Sequence, residues 1–108
     1  MKIIRIIDGR RYNTETATRV ADVGSNGGYS CNDFHYHDTA IFRTTKGAWF
    51  IAGEGGAMSR WARPHGQNGW SGGSGIVPLT DKDALEELEA ARATDAIEQY
   101  FGAQVEDA

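Results

Sequence analysis

The pattern of apolar and polar positions divides the chain into a β-rich first part and a helical last part. Near the N-terminus, "IIRIIDGRRYN" places β-branched isoleucines before Asp8-Gly9, a dipeptide that tolerates the two positive φ angles of a type I′ turn. This pattern predicts a hairpin whose second strand covers Arg10–Asn13. A further short strand is predicted in "TRVADV", and "GSNGGYSCND" has the composition of a loop.

The strongest strand signal lies in "FHYHDTAIFRT", where apolar residues recur at every second position, and "AWFIAGE" is expected to be the strand that returns beside it. A two-residue turn at Lys46-Gly47 would join these strands, and it predicts that Phe42 lies opposite Ile51. In that register the aromatic sides of the two strands coincide and form the core. The other side is also partly apolar, which predicts that a further element covers it.

Helical spacing begins after a short strand predicted in "GIVPLT", where Pro78 is expected at a sheet edge or a strand end. Thr80 followed by Asp83 is typical of a helix N-terminus, and "DKDALEELEAAR" carries a narrow apolar stripe. We expect Thr94 to cap a second, shorter helix that ends at Gly102.

The length of 108 residues and the hydrophobic content of 40% indicate one globular domain. We predict a single α+β domain, a small antiparallel sheet built from hairpins and followed by two short helices. Its parts are residues 1–79, mainly β and loops, residues 80–102, helical, and residues 103–108, a frayed tail. No run of apolar residues suits a membrane span or a signal peptide, and the single Cys31 cannot form an internal disulfide. We therefore expect a soluble, cytoplasmic protein.

Charge is distributed unevenly between the two parts. Residues 1–79 carry nine Lys and Arg against six Asp and Glu, whereas residues 80–108 carry two against nine. This weakly basic body does not have the strongly basic footprint of a DNA-binding domain, so direct nucleic-acid binding is kept as an alternative. The acidic helix could instead meet a basic partner surface, although a solvated helix face explains it as well. The candidate acidic patch comprises Asp83, Glu86, Glu87 and Glu89.

The stretch "GEGGAMSRWARPHGQNGWSGGSG", residues 53–75, combines eight of the fourteen glycines with two of the three tryptophans. Trp and Arg are enriched at binding hot spots, so we interpret the stretch as a shaped contact loop. The candidate contacts are Arg60, Trp61, Arg63, Asn68 and Trp70. The candidate residues that shape the loop are Glu54, Gly55, Gly56, Gly72 and Gly73. Alternatively, both tryptophans plug a thin core and the glycines permit a tight path.

Few residues of the sequence suggest a metal site or a catalytic site. His35 and His37 project from the same face of a strand, and Cys31 and His65 could join them around a metal ion. No CxxC motif accompanies them, so a metal- or ligand-binding protein using His35, His37 and His65 remains an alternative only. We predict no cofactor and no catalytic residue, and hence a protein that is not an enzyme.

Several segments together resemble a family of small proteins encoded in phages, plasmids and other mobile elements of bacteria. They are "DGRRYNTETAT", "GYSCNDFHY", "FRTTKGAWFIAGEGGAMSRWA", "GQNGWSGGSGIVPLT" and the closing acidic helix pair. The resemblance implies a genomic context and no catalytic residues. Small acidic proteins of such elements are often inhibitors of host defence complexes, including anti-CRISPR proteins. We therefore expect a protein-interaction module that occludes a surface of a bacterial host protein or complex.

Overall fold

The computed structural model describes residues 1–24, 36–57, 59–65 and 69–108, apart from the side chain of His65. Within these residues, eight strands precede two helices and a final 3-10 turn at Gly102–Gln104. The strands are β1 Ile4–Ile7, β2 Arg10–Asn13, β3 Thr18–Asp22, β4 His37–Arg43, β5 Trp49–Gly55, β6 Arg63–His65, β7 Gly69–Ser71 and β8 Gly73–Leu79. The helices are α1 Asp81–Ala90 and α2 Thr94–Phe101. The predicted α+β class, with antiparallel strands first and two short helices last, is confirmed.

The N-terminal hairpin forms as its sequence predicts. β1 pairs antiparallel with β2, and the two turn residues, Asp8 and Gly9, have φ angles of 52° and 78°. Positive φ at both central positions defines the type I′ turn, whose twist matches that of the flanking strands. The hairpin is closed at its other end by Thr14, whose hydroxyl accepts a hydrogen bond from the backbone of Ile3 at 2.9 Å.

The central sheet has four antiparallel strands in the order β3-β4-β5-β8. Pro78 lies in β8, an edge strand of this sheet, as expected for a residue that cannot donate to a second neighbour. At the other edge, Arg19 of β3 bonds to Asp22 at 2.6 Å and to Asp38 at 2.8 Å. The hydrogen bond to Asp38 is the main cause that raises the pKa of the Arg19 guanidinium, against an opposing effect of burial.

The register predicted for β4 and β5 is wrong by one residue. Phe42 lies opposite Phe50, because the turn has three residues, Thr45–Gly47, instead of two. The backbone N–H of Thr44 donates to the carbonyl of Ala48 at 2.8 Å, and Gly47 has a φ of 89°. A three-residue loop that ends on a residue with positive φ is a common alternative to the two-residue turn, and its glycine fits either.

This shift exchanges the faces of every side chain on β5 relative to β4. The two faces of the sheet each carry a separate cluster of buried residues. One face packs against the N-terminal hairpin, and the other packs against the helices. The hairpin cluster comprises Ile3, Tyr12, Ala40, Phe42, Phe50, Ala52 and Ile76. The helix cluster comprises Val23, Ile41, Trp49, Ile51, Ala84, Leu88 and Phe101. The prediction that a further element covers the second face is thereby confirmed.

The two helices join through a tight turn. The hydroxyl of Thr80 accepts a hydrogen bond from the backbone N–H of Asp83 at 3.1 Å, so the predicted N-cap of α1 is confirmed. At the end of α1, Arg92 has a φ of 57° and the N–H of Ala93 bonds to the carbonyl of Leu88, which together make a Schellman-type ending.

The predicted cap of α2 is wrong. Thr94 is the first residue of the helix, Ala93 occupies the cap position, and no side chain caps this end. The Schellman turn that ends α1 leaves Ala93 at the N-cap position of α2. Thr94 is therefore already inside the helix and cannot act as its N-cap. Among the described residues, no helix is long and apolar enough to cross a membrane.

Candidate functional site

The glycine-rich connection between β5 and β8 folds back over the central sheet. After β5 the chain turns at Gly56, whose N–H bonds to the carbonyl of Tyr36 at 3.0 Å and whose own carbonyl accepts the Ser59 hydroxyl at 2.7 Å. Trp61 then lies on the helix-facing side of the sheet, next to the part that the helices cover. The chain continues as the small hairpin β6–β7 before it enters β8.

Trp61 anchors this connection. Its side chain is only 9% exposed, and its indole Nε1 donates to the hydroxyl of Thr39 at 2.7 Å. Thr39 is itself buried, and its hydroxyl also lies 2.9 Å from Nδ1 of His37. A buried indole N–H needs a hydrogen-bond partner, and this hydroxyl supplies it. The interpretation of a tryptophan that plugs the core therefore applies to Trp61, and its ring is not available as an outer contact.

Glycines of paired strands make room for the indole. Gly53 and Gly75 lie opposite each other on β5 and β8. A Cβ on Gly53 would lie 2.6 Å from Cε2 of Trp61, and one on Gly75 would lie 3.0 Å from its Cζ3. These distances are shorter than a normal carbon contact, so the ring occupies the space that side chains would fill.

The predicted loop-shaping residues lie at this crossing. Gly55 lies opposite Gly73, and a Cβ on Gly73 would collide with the backbone of Trp61. A Cβ on Gly72 would lie 2.6 Å from the carbonyl oxygen of Gly55. Gly56 makes the turn described above, and Glu54 is exposed on the opposite face of the sheet, beside Asp38 and Ser74 in register.

The two candidate arginines differ in position. Arg63 donates to the backbone carbonyl of Ser74 at 2.7 Å, so it ties β6 to β8 although its side chain is exposed. Arg60 is exposed, with its guanidinium 5.4 Å from the centre of the Trp61 ring. A cation over an indole face is attracted by the ring quadrupole, which holds Arg60 at the rim of the loop.

Trp70 is the outward-facing tryptophan of the connection. Its side chain is 59% exposed, and it pairs across the β6–β7 hairpin with Pro64, which is also exposed. The third tryptophan, Trp49, is buried in the helix cluster. The connection therefore presents an exposed indole next to two anchoring residues, Trp61 and Arg63. Asn68, the other predicted contact, lies outside the described residues.

The acidic helix residues are mostly free to meet solvent or a partner. Asp83, Glu86 and Glu89 are exposed on α1, whereas Glu87 is half-buried. A shallow groove beside Glu89 is lined by apolar residues, among them Leu85, and by two further acidic residues. Its lining residues are Leu85, Glu89, Thr94, Ile97, Glu98, Gln104, Val105 and Glu106.

The alternative histidine site lies mostly beyond what the structure describes. His35, Cys31 and the side chain of His65 fall outside the described residues. His37 is half-buried and contacts Thr39 as given above. Within the described part of the chain, no group of three or more His, Cys, Asp or Glu residues is placed to hold a metal ion.

Sequence reasoning missed two residues that lie beside the tryptophans of this connection. Thr39 was recognised only as a position on a strand, because its partner Trp61 lies 22 residues away in the chain. Pro64 carried no signal until β6 and β7 placed it beside Trp70. The alternation in β4 does put Thr39 on the same face as Ile41, which is the one available clue.

Fold and site together describe a small α+β domain whose β5–β8 connection carries an exposed tryptophan on a short hairpin. In comparisons with known proteins, no family model matches the chain, and neither a curated protein nor a solved structure matches it.

Proposed function

We propose that this protein is a non-catalytic interaction module that binds a protein partner through the β6–β7 hairpin. The observation that carries the proposal is the contrast between the buried Trp61 and the exposed Trp70 of the same connection. Exposing an indole to water costs free energy, and its large rigid surface is typical of the centre of a protein interface. Trp61 and Arg63 fix the base of the hairpin, so little entropy is lost when Trp70 is covered.

The resemblance to mobile-element proteins extends this proposal to inhibition of a host defence complex. Occlusion is the mechanism that suits a small domain without catalytic residues. The acidic side chains of α1 would stand where the phosphates of a nucleic acid lie in the partner, which requires a basic partner surface. Such binding weakens as salt screens the charges, so a rise from 0.05 M to 0.5 M salt should lower the affinity markedly.

The experiment is capture of partners from a lysate of the bacterial host on the immobilised full-length chain, compared between variants. Trp70→Ala should abolish capture of the specific partner, because truncation of a hot-spot tryptophan typically costs 2 kcal/mol or more, about a thirtyfold loss of affinity. The matched control is Ile6→Ala, which removes a 67%-exposed apolar side chain from the N-terminal hairpin and should leave capture unchanged.

Fluorescence provides a second measurement that needs no variant. Trp49 and Trp61 are buried, so iodide should quench mainly Trp70 in the free protein. Binding of the captured partner should protect that emission. Equal capture by Trp70→Ala and the wild type, or undiminished quenching in the complex, would reject the hairpin as the binding surface.

A further inference from the structure

A cation-lined groove lies between the N-terminal hairpin and the β4–β5 turn. It has a volume of about 650 Å³, within the range of small-molecule sites. Three of its side chains are cationic, Arg10, Arg11 and Lys46, and none is acidic. The other lining residues are Gly9, Tyr12, Asn13, Thr16, Thr44, Thr45 and Ala48.

The three cations are free to bind a ligand. Elsewhere in the protein arginines are already engaged: Arg19 with two carboxylates and Arg63 with the carbonyl of Ser74. The side chains of Arg10, Arg11 and Lys46, by contrast, make no hydrogen bond or ion pair to any described residue. An anion bound in this groove would be attracted by these positive charges.

A second concavity lies next to this groove, at the same β4–β5 turn. It shares Thr44, Thr45 and Lys46 with the first and adds Arg43, again without an acidic side chain. The guanidinium of Arg43 lies 5.4 Å from the ring centre of Trp49 and 4.9 Å from that of Tyr100. Stacking on these rings holds Arg43 in place without neutralising its charge.

The geometry of the two concavities favours a ligand with several anionic groups in a row. Four cationic residues, Arg10, Arg11, Lys46 and Arg43, line the two concavities. A single carboxylate or phosphate could meet only some of them. Arginine forks and a lysine ammonium suit phosphate oxygens in particular. Tyr12 is buried against Phe50 and offers no free ring face, so recognition would depend on phosphates and not on stacking of a base.

We propose that this groove binds a ligand carrying two or more adjacent phosphate groups. The site lies apart from the Trp70 hairpin and uses none of its residues, so it is a second binding function beyond the proposed one. The same chemistry has two sources, a free polyphosphate or nucleotide, and the phosphodiester backbone of a nucleic acid.

The test is titration of the full-length chain at low salt with three probes: tripolyphosphate, ATP and a single-stranded oligonucleotide. Saturable binding of at least one probe is expected. Arg10→Gln and Lys46→Gln should each weaken it about tenfold, the loss expected when one charge-assisted hydrogen bond to phosphate is removed. Lys82→Gln removes the same charge from the exposed face of α1 and should leave the affinity within twofold.

The pattern of binding identifies the source. Binding of tripolyphosphate or ATP with oligonucleotide binding no tighter assigns a free polyphosphate ligand. Binding of the oligonucleotide alone, with a slope of log affinity against log salt near −2 for about three phosphate contacts, assigns a nucleic acid. Absence of binding to all three probes overturns the proposal, and so does an equal effect of Arg10→Gln and Lys82→Gln. Loss of partner capture by Trp70→Ala is independent of either result.

Discussion

At the scale of single residues, the position of Trp61 explains the glycines around it. The indole lies flat against Gly53 and Gly75, and its one polar atom is satisfied by Thr39. Glycine is therefore required here for space and not for an unusual backbone angle. This differs from Gly47, which has a φ of 89° at the end of a turn.

Gly53→Ala should destabilise the protein by about 1–3 kcal/mol, the usual cost of forcing extra volume into a packed interior. The new methyl group would lie 2.6 Å from both Cε2 of Trp61 and the carbonyl oxygen of Asp38. Urea unfolding measures the effect. Gly102→Ala is the control, since its Cβ would meet nothing within 4 Å, and alanine there should be neutral or slightly stabilising.

Part of this cost should disappear in a Trp61→Leu background, because the smaller side chain leaves room for the methyl group. The double-mutant cycle thus isolates the contact between positions 53 and 61. Equal destabilisation by Gly53→Ala in both backgrounds would show that the clash with the Asp38 carbonyl alone decides the cost.

At the scale of elements, the N-termini of the two helices are formed in different ways. α1 begins with a side-chain cap from Thr80, whereas α2 begins directly after the turn that ends α1. The two threonines look alike in the sequence, each followed by a helical pattern. Only Thr80 has its hydroxyl within hydrogen-bond distance of a backbone N–H in the first turn.

The difference predicts unequal effects of two similar substitutions. Thr80→Ala should cost about 1 kcal/mol of the free energy of unfolding, the typical value of a lost N-cap. Thr94→Ala should change it by less than about 0.5 kcal/mol, as for most surface substitutions. Thermal or urea unfolding of the two variants side by side checks this. Comparable losses would mean that Thr94 also caps its helix in solution.

At the scale of the whole molecule, one sheet is covered on both faces by opposite ends of the chain. The N-terminal hairpin covers Phe42 and Phe50, and the C-terminal helices cover Ile41 and Ile51. Charge follows the same division: unpaired cations line the groove beside the hairpin, and carboxylates cluster on the helices. The two ends are therefore both structural covers and the carriers of opposite charge.

Removal of residues 1–13 should leave the hairpin-facing side of the sheet open to water. Loss of this much apolar burial exceeds what a small domain can tolerate, so we expect a chain that binds a hydrophobic dye and lacks a cooperative thermal transition. Removal of residues 106–108, all exposed, is the control and should change little. Cooperative unfolding of the shortened chain without dye binding would contradict the role of the hairpin as a cover.

Turns and caps formed by residues close together in the sequence could be predicted. The pairing of residues on different strands could not. The turn at Asp8-Gly9 and the cap at Thr80 each involve neighbours within a few residues, so propensity and spacing were sufficient to predict them. The β4–β5 register failed because "TTKG" permits a turn of two or three residues, and the choice inverts the faces of β5.

By itself, the sequence determined the α+β class, the order of strands and helices and the asymmetry of charge. These features depend on hydrophobic periodicity and composition, which are local or additive. Only the tertiary structure decided that Trp61 faces inward and Trp70 outward, and that Arg10 and Lys46 share one groove. Two tryptophans of one glycine-rich stretch are distinguished by the packing of strands far apart in the chain, and spacing along the sequence does not reveal that packing.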